Sequence, residues 1–218
     1  MADAVVFDLD GVLLDSEQLW NKAKEALVRA AGGRWREDAP RAMMGMSSLE
    51  WSAYLRDELG VACDLVDIDR EVVRRMEGLY RAKLPLLPGA VEAVGTVRDR
   101  WPLGLASSSN REIIDLALDL ADLADSFSVT VSSEEVERGK PAPDVYLEVA
   151  RQLRVKPERC VAVEDSSNGL RAAAAAGLTV IAIPNQHYPP DDDALVLAAA
   201  TASTLHQLTP ALVERVSR

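Results

Sequence analysis

Cysteine is scarce in this chain, and long apolar runs are missing from it. The 218 residues include two cysteines, Cys63 and Cys160, which lie far apart and form no CxxC pair. This spacing suggests neither a disulfide framework nor a zinc site, and it predicts two buried thiols in a reducing compartment. No stretch approaches the roughly 18 apolar residues of a membrane span, and no basic N-terminal region precedes an apolar one. We therefore expect a soluble, cytoplasmic protein with no membrane partner.

Positive charge is also in short supply. The chain has 24 Lys and Arg against 35 Asp and Glu, which gives a formal net charge of −11 at pH 7. Nucleic acids and anionic lipids are bound through clustered Lys and Arg, so this balance argues against both as main partners. An anionic substrate would need a metal ion to supply positive charge locally. A monomer is the simpler expectation.

Five short runs rich in Val, Ile and Leu predict buried parallel strands. These runs span residues 4–9, 103–107, 127–132, 160–164 and 179–184. Helical patterns lie between the later strands, at residues 110–123, 143–153 and 167–176. The first of these patterns starts at a capping residue, Asn110. Alternating strands and helices indicate right-handed crossovers, and therefore an α/β fold with a doubly wound parallel sheet.

One long segment between the first and second strands breaks this alternation, because it reads as helices alone. Ser16 can cap the first helix, Ser47 and Glu50 form a capping box for the second, and the third spans about residues 69–83. Such a segment is typical of an inserted all-helical domain. The predicted domains are a core of residues 1–15 and 85–218 and an inserted helical domain of residues 16–84.

The first strand ends in Asp8-Leu9-Asp10-Gly11, which delivers two carboxylates to its carboxyl end. Ligands of parallel α/β sheets bind in the crevice beyond the carboxyl ends of the strands. Because the side-chain period of a strand is two, Asp8 and Asp10 share one side of it. The alternative reading, as turn or capping aspartates, is common for a lone Asp-Gly. The pair predicts a functional site at this edge of the sheet.

Polar clusters of complementary chemistry follow three later strands. Ser107 and Ser108, after the second strand, lie in a turn that can offer hydroxyl and backbone N–H groups to phosphate oxygens. Lys140, after the third strand, can neutralise a phosphoryl group, although alone it would read as a solvated surface charge. Glu164 and Asp165 follow the fourth strand. Two acidic pairs that meet in one crevice repel each other unless a cation such as Mg²⁺ lies between them.

These motifs, in this order, resemble those of the haloacid dehalogenase superfamily. The similarity covers essentially the whole chain and is strongest to the β-phosphoglucomutase-like group with a helical cap, which includes sugar-phosphate phosphatases such as those of 2-deoxyglucose 6-phosphate. It implies a Rossmann-like core and an inserted cap. The segments that carry it are Asp8-Leu9-Asp10-Gly11-Val12, Ser107, Lys140-Pro141 and Glu164-Asp165 for the four motifs, together with Asp15-Ser16-Glu17 and Gly139-Lys140-Pro141-Ala142-Pro143.

The resemblance implies a phosphomonoester hydrolase that acts through an aspartyl phosphate and requires Mg²⁺. Asp8 would be the nucleophile, and Asp10 would serve as general acid and then general base. Ser107, Ser108 and Lys140 would bind the phosphate oxygens. The implied Mg²⁺ ligands are Asp8, the backbone carbonyl of Asp10, Asp165 and, through water, Glu164.

The cap would decide which phosphate ester is cleaved, and here the chain departs from the mutase. Trp20 stands where the mutase has a histidine, Ser48 stands where it has an arginine, and residues 43–51 contain no Lys or Arg. A bisphosphate intermediate needs cationic cap groups, so an uncharged cap favours hydrolysis. Trp20, Met46 and Ser47 are the candidate substrate contacts, since an aromatic face beside a polar edge suits a sugar ring. Trp20 could equally belong to the cap core.

We expect the substrate to be a small phosphorylated metabolite, with sugar phosphates foremost. An isomerase of the β-phosphoglucomutase kind and a phosphoglycolate phosphatase are the alternatives within enzymes. A binding module that keeps the fold without the chemistry is a third alternative. Such a module should have lost the nucleophile or the acid, whereas Asp8 and Asp10 are both present.

Overall fold

A parallel sheet forms the centre of the protein. The structure, a computed structural model, describes residues 1–44 and 46–217. Within that part of the chain the sheet has six strands in the order β3-β2-β1-β4-β5-β6, and all of them are parallel. The strands are β1 (Ala4–Phe7), β2 (Leu103–Ser107), β3 (Val129–Ser132), β4 (Cys160–Glu164), β5 (Thr179–Ala182) and β6 (Ala200–Thr201).

Helices connect the strands and fill the long segment after β1. None of them, over the residues described, has both the length and the apolar character to cross a membrane. Single 3-10 turns lie at Ala124–Ser126, Ser133–Glu135, Pro157–Arg159 and Leu205–Gln207. The α-helices are α1 (Glu17–Ala30), α2 (Ala39–Ala42), α3 (Ser48–Asp57), α4 (Leu65–Ala82), α5 (Ala90–Arg98), α6 (Arg111–Leu120), α7 (Asp144–Leu153), α8 (Ser167–Ala175), α9 (Asp192–Leu195) and α10 (Pro210–Val216).

Both faces of the sheet are covered by helices. Along β1, Val5 and Phe7 join an apolar layer that includes α5, α6 and α10, whereas Ala4 and Val6 join a second layer with α7, α8 and α9. Successive side chains of a strand point to opposite faces, so a strand buried on both sides reads as a continuous apolar run. The α/β fold with a doubly wound parallel sheet is therefore confirmed.

The order of the strands places a crevice beside β1. From β1 the chain goes first to β2 and β3 on one side and later to β4, β5 and β6 on the other. Ligands of open α/β sheets bind at such a reversal, beyond the carboxyl ends of the strands. The backbone N–H of Asp8 extends the β1 ladder by donating to the carbonyl of Val163 on β4, at 3.0 Å. The residues that follow β1 and β4 therefore lie side by side.

Helices α1 and α3 both pack on α4, and residues of α1 and α3 lie over this edge of the sheet. Their main apolar stripe is on α4, where Ile68, Val72, Met76 and Tyr80 recur every four residues and are buried. The predicted capping box of Ser47 and Glu50 is present at the start of α3. The division into a core of residues 1–15 and 85–218 and a cap of residues 16–84 stays a prediction.

The two chain crossings between these parts run side by side. Asp15 donates its backbone N–H to the carbonyl of Pro85 at 2.8 Å, and Leu87 donates to Leu13 at 2.9 Å. Leu14 and Leu86 form an antiparallel bridge between them. Backbone hydrogen bonds therefore connect the two crossings, so they do not form two independent linkers.

Several local expectations from the sequence are wrong. Ser16 precedes α1, but its hydroxyl donates to Asp10 and accepts nothing from the helix. Asn110 precedes α6, but its amide donates to carboxylates outside that helix. Cys63 is exposed, although Cys160 is buried as predicted. Ser16 and Asn110 have short polar side chains that can serve several partners, so tertiary contacts decide which one each takes.

Candidate active site

Three buried carboxylates meet beyond the carboxyl ends of β1 and β4. One oxygen each of Asp8, Glu164 and Asp165 lies within 4.8 Å of the others. The three residues are 6, 0 and 4% exposed, respectively. The strand pairing explains this cluster, because Phe7 pairs with Val163 and the next residues of both strands carry the acids. Three buried carboxylates this close together repel one another, so their ionised forms need positive charge among them.

Lys140 supplies one such charge from the loop after β3. Its Nζ donates to Asp8 Oδ1 at 2.7 Å, to Glu164 Oε1 at 2.5 Å and to the carbonyl of Ala106 at 3.1 Å. Burial alone would lower the pKa of Lys140, but the carboxylates of Asp8 and Glu164 outweigh it and hold that pKa above its usual value. The lysine is therefore a permanent cation at the centre of the cluster.

Both carboxylate oxygens of Glu164 accept hydrogen bonds from other groups of the protein. Its Oε1 also accepts from the hydroxyl of Tyr146 at 2.6 Å, and its Oε2 accepts from the backbone N–H of Asp165 at 3.0 Å. Tyr146 is buried, and burial next to Glu164 raises the pKa of its hydroxyl well above the usual value. Tyr146 was not predicted from the sequence. The arrangement makes Glu164 the residue that anchors Lys140 against Asp8.

Asp8 and Asp165 are the carboxylates left to take a further cation. Burial raises the pKa of Asp8, with Lys140 opposing this and Glu164 adding to it. Burial, followed by the neighbouring charges of Glu164 and Asp8, likewise raises the pKa of Asp165. A divalent ion bound between the two would restore their ionised form, and hard oxygen donors of this kind suit Mg²⁺. The residues present therefore fit the predicted metal.

The side chain of Asp10 is not part of the carboxylate cluster. It accepts hydrogen bonds from the segment before α1, from helices α1 and α4, and from the turn after β2. Ser109 donates its hydroxyl at 2.5 Å, the indole N–H of Trp20 donates at 3.2 Å, and Ser16 and Tyr80 also donate to this carboxylate. Asp10 lines the same cavity as Asp8, although β1 ends at Phe7 and its period of two therefore does not place these two side chains. Ser16, Ser109 and Tyr80 were not predicted. Because these donors come from separate segments, the carboxylate is fixed only in the folded protein.

The two predicted phosphate serines behave differently. Ser107 is fully buried, and its hydroxyl accepts the backbone N–H of Ser109 at 3.0 Å, so it shapes the turn and does not line the cavity. Ser108 does line the cavity, and its buried hydroxyl finds no hydrogen-bond partner in the part of the chain that the structure describes. A buried hydroxyl without a partner is costly, so an oxygen of a bound group is the natural partner for Ser108.

The cavity above the carboxylates has a volume of about 60 Å³. Of the predicted cap contacts, Trp20 and Met46 line it, whereas Ser47 does not, because its backbone N–H and its hydroxyl both donate to Glu50 at the start of α3. The rings of Trp20 and Trp51 pack at a centroid distance of 6.3 Å. The side chains that line the cavity from α1, α3 and the segment between them are Glu17, Trp20, Lys24, Met43, Met46 and Trp51.

The expectation of an uncharged cap is wrong. It was based on residues 43–51, but Lys24 of α1 lines the cavity and is buried. Glu17, on the same helix, also lines it, and burial followed by the charge of Asp10 raises the pKa of this carboxyl to about 7. The helical spacing places both residues on the face of α1 that carries Trp20. The cap therefore presents one cationic and one acidic side chain to the site.

Gly169 of α8 leaves room for the Glu164 carboxylate. A Cβ at this position would lie 1.9 Å from Glu164 Oε1. We expect Gly169→Ala to displace that carboxylate from Lys140 and to lower kcat/KM for phosphate-ester hydrolysis by about 100-fold, the effect of misplacing a group by about 1 Å. The measurement is steady-state phosphate release.

Gly95→Ala on α5 is the matched control, since its Cβ would meet open space. We expect this variant to keep full activity and to gain about 1 kcal/mol in the free energy of unfolding from helix propensity. Wild-type turnover by Gly169→Ala would show that the position of Glu164 does not matter to the chemistry.

Comparison with known proteins places this site in a family. A family model for haloacid dehalogenase-like hydrolases matches residues 2–177. The chain belongs to this family. The finding confirms the resemblance read from the motifs, and it makes the protein a hydrolase.

The relatives of this haloacid dehalogenase-like hydrolase include phosphatases. Hexitol phosphatase B of Escherichia coli K12 is 34% identical over 223 residues, with 94% of each chain covered. The phosphorylated carbohydrates phosphatase of Thermotoga maritima is 35% identical over 202 residues, covering 92% of this chain and 93% of the relative. The crystal structure of β-phosphoglucomutase from Clostridium difficile has a TM-score of 0.86 at 22% identity, covering 100% of this chain and 97% of that one. The first two similarities support phosphatase activity, and the third shows the shared fold.

Proposed function

We propose that the protein is a Mg²⁺-dependent phosphomonoesterase that acts through an aspartyl phosphate on a small phosphorylated metabolite, in particular a sugar or polyol phosphate. The observation that carries the proposal is the position of Asp8, which lies between the Lys140 ammonium and the Asp165 carboxylate at the base of a small cavity. Because the Lys140 ammonium offsets its negative charge, the Asp8 carboxylate can approach an anionic phosphate. The names of the phosphatase relatives support the same class of substrate.

Asp8 and Asp10 divide the chemistry between them. One Asp8 oxygen attacks phosphorus in line, the phosphorus–oxygen bond of the ester breaks, and Asp10 gives its proton to the departing alkoxide. Asp10 then takes a proton from the water that attacks the aspartyl phosphate, which releases inorganic phosphate and regenerates Asp8. The donors that hold the Asp10 carboxylate fix it over the cavity for both proton transfers.

Charge on the transferred phosphoryl group needs fixed partners. Lys140 would contact its equatorial oxygens from the side of Glu164, and the Ser108 hydroxyl would supply a hydrogen bond from the turn after β2. Ser107 would support them by shaping that turn. Asp8, the backbone carbonyl of Asp10 and Asp165 would hold Mg²⁺, and Glu164 would act on it through water. When bound, the ion would let the Asp8 carboxylate approach the anionic phosphate and would stabilise the charge on the phosphoryl group.

Metal dependence is the most direct test of this proposal. We expect a chelator to lower phosphate release by about 100-fold or more, and added Mg²⁺ to restore it, because the ion supplies several kcal/mol of charge stabilisation. Mg²⁺ at about 100 times its Kd should also raise the free energy of unfolding by about 2.7 kcal/mol. Phosphate assays and urea unfolding measure the two effects on the same sample.

Asp165→Asn provides the internal comparison for that experiment. We expect it to lose both the Mg²⁺-dependent turnover and the Mg²⁺-dependent stabilisation, since it removes one of the two carboxylates that could bind the ion. Full turnover in chelator, or an unchanged Mg²⁺ response in Asp165→Asn, would contradict the metal assignment.

The product separates the proposal from its alternatives. A panel of sugar phosphates, polyol phosphates, phosphoglycolate and nucleotides should release inorganic phosphate from the sugar-derived esters before phosphoglycolate and nucleotides. Conversion of β-glucose 1-phosphate to glucose 6-phosphate without phosphate release would establish the isomerase instead. The monomeric state, the cytoplasmic location and the absence of nucleic-acid partners stay predictions.

A further inference from the structure

Lys24 is a cation on the cap side of the cavity that the proposed chemistry does not use. It lies one helical turn after Trp20 on α1 and is 6% exposed. Its Nζ is 5.4 Å from the centroid of the Trp20 ring and 5.0 Å from that of Trp51. The lysine shares the cavity with Asp8 and Asp10. The two indole rings therefore fix an ammonium group on the wall opposite the carboxylate cluster.

The Lys24 side chain is largely buried, and its ammonium has no ion partner in the part of the chain that the structure describes. Among the described residues, no carboxylate oxygen lies within 4.0 Å of Lys24 Nζ, so the charges of Glu17 and Asp10 act on it only at longer range. Indole rings attract a cation, but they accept no hydrogen bonds comparable to those that its three N–H groups lose on burial. Burial lowers the pKa of Lys24 to about 8, with Glu17 and Asp10 opposing the shift, so the side chain still carries its proton at neutral pH.

An apolar side chain would fill this position at lower cost to stability. A buried cation without a pair destabilises a protein, and such groups persist where function needs them. A ligand in the cavity could supply the missing acceptor. Lys24 therefore indicates an anionic group on the substrate, at the end away from the phosphate.

The surroundings of Lys24 favour a carboxylate over a second phosphate. A phosphate dianion is held by several donors, whereas the described part of the cap wall offers one ammonium, with the Glu17 carboxyl beside it. A carboxylate carries a single charge and can take one ammonium as its main partner. The hydroxyl groups next to it on the substrate could donate to Glu17.

Building on the proposed phosphatase activity, we propose that the preferred substrate within the sugar-derived class is a phosphorylated sugar acid, whose distal carboxylate pairs with Lys24. Lys24 is then the specificity-determining residue of the cap. Trp20 and Trp51 position its ammonium, and the carbon chain of the substrate spans the distance from Lys24 to Asp8.

Matched substrate pairs test this proposal, because each pair differs only by a carboxylate in place of a hydroxymethyl group. The pairs are 3-phosphoglycerate with glycerol 3-phosphate and 6-phosphogluconate with sorbitol 6-phosphate. With Mg²⁺ present, we expect the wild-type protein to prefer the acid in at least one pair, by about 10- to 100-fold in kcat/KM. That range corresponds to one hydrogen bond to a charged group.

Lys24→Met should remove this preference by lowering kcat/KM for the acid about 10- to 100-fold, while the neutral partner changes less than about threefold. Lys22→Met is the matched control, because Lys22 lies on the same helix and is exposed. We expect this control to keep the wild-type preference. Thermal unfolding should show that Lys24→Met is folded and no less stable than the wild-type protein.

Three results would overturn the inference. These are hydrolysis of both neutral esters by the wild-type protein at the same rate as the acids, an equal loss of turnover of acid and neutral esters in Lys24→Met, and an unchanged preference for the acid in Lys24→Met. An equal loss together with a lower unfolding temperature would assign Lys24 a structural role. Failure to release phosphate from all four esters and from p-nitrophenyl phosphate is a different outcome, since it would refute the phosphatase proposal itself and the inference with it.

Discussion

Replacement of Asp8 by asparagine is expected to lower kcat/KM for phosphate-ester hydrolysis by about 10⁵-fold or more, the effect of removing a covalent nucleophile. The amide oxygen carries no charge and is a poor nucleophile, so the aspartyl phosphate cannot form. Asparagine has nearly the size of aspartate, and Lys140 can still donate to its oxygen and to Glu164. The fold should therefore remain intact, which near-ultraviolet circular dichroism and thermal unfolding can check.

Asp119→Asn is the control for this variant, because Asp119 is exposed on α6 away from the cavity. We expect wild-type turnover from it. Residual activity of Asp8→Asn above about one per cent, with the variant shown to be free of deamidated protein, would mean that another group attacks phosphorus. The covalent mechanism proposed here would then be wrong.

The sheet was predictable because its strands are buried on both faces. Residues 103–107 and 160–164 form strands with the predicted bounds. The first strand ends at Phe7, two residues earlier than expected, because the chain turns there to present Asp8 and Asp10. The two-residue strand β6 was not predicted, since its pairing with β5 is a tertiary contact without a local pattern.

The carboxylate cluster was predictable for a related reason. Parallel strands end at one edge of the sheet, so acids after β1 and β4 must lie close together. The structure places Asp8, Glu164 and Asp165 together and adds Lys140 from the loop after β3. The roles given to these residues stay predictions, because geometry shows which groups meet and not what they do.

The cap wall was less predictable, because it depends on which helix faces turn towards the cavity. One signal for Lys24 was present: it lies four residues after Trp20 on a face that also carries Ala23 and Leu27. A charged residue on the apolar face of a helix is uncommon and indicates a special environment. Tyr146 gave no such signal, since a tyrosine on an apolar helix face is ordinary core and its contact with Glu164 is a tertiary one.

Replacement of Lys140 by methionine is expected to affect both stability and catalysis. The variant leaves Asp8 and Glu164 buried without their common cation, so the free energy of unfolding should fall by about 3–5 kcal/mol at pH 8. Loss of a donor to the phosphoryl oxygens should also lower kcat by about 10²- to 10³-fold. Urea unfolding in chelator and phosphate release with Mg²⁺ measure the two effects separately.

The loss of stability should depend on pH in a definite direction. Burial raises the pKa of Asp8, and without Lys140 the charge that opposes this shift is gone, so the folded state binds more protons than the unfolded chain. The contribution of Asp8 to stability is then greatest at low pH and is lost as the pH rises through its folded pKa. Lys140→Met should therefore be closer in stability to the wild-type protein at pH 5 than at pH 8. Lys156→Met, at an exposed lysine, should differ from the wild-type protein at neither pH.

The double variant Lys140→Met with Glu164→Gln separates the two roles of the lysine. A neutral amide at residue 164 removes one of the unpaired carboxylates, so part of the lost stability should return at pH 8. Turnover should not return, because the phosphoryl group still lacks its cation. Recovery of turnover together with stability would show that Lys140 serves only to neutralise Glu164 and Asp8, and its assignment to the phosphate would have to be withdrawn.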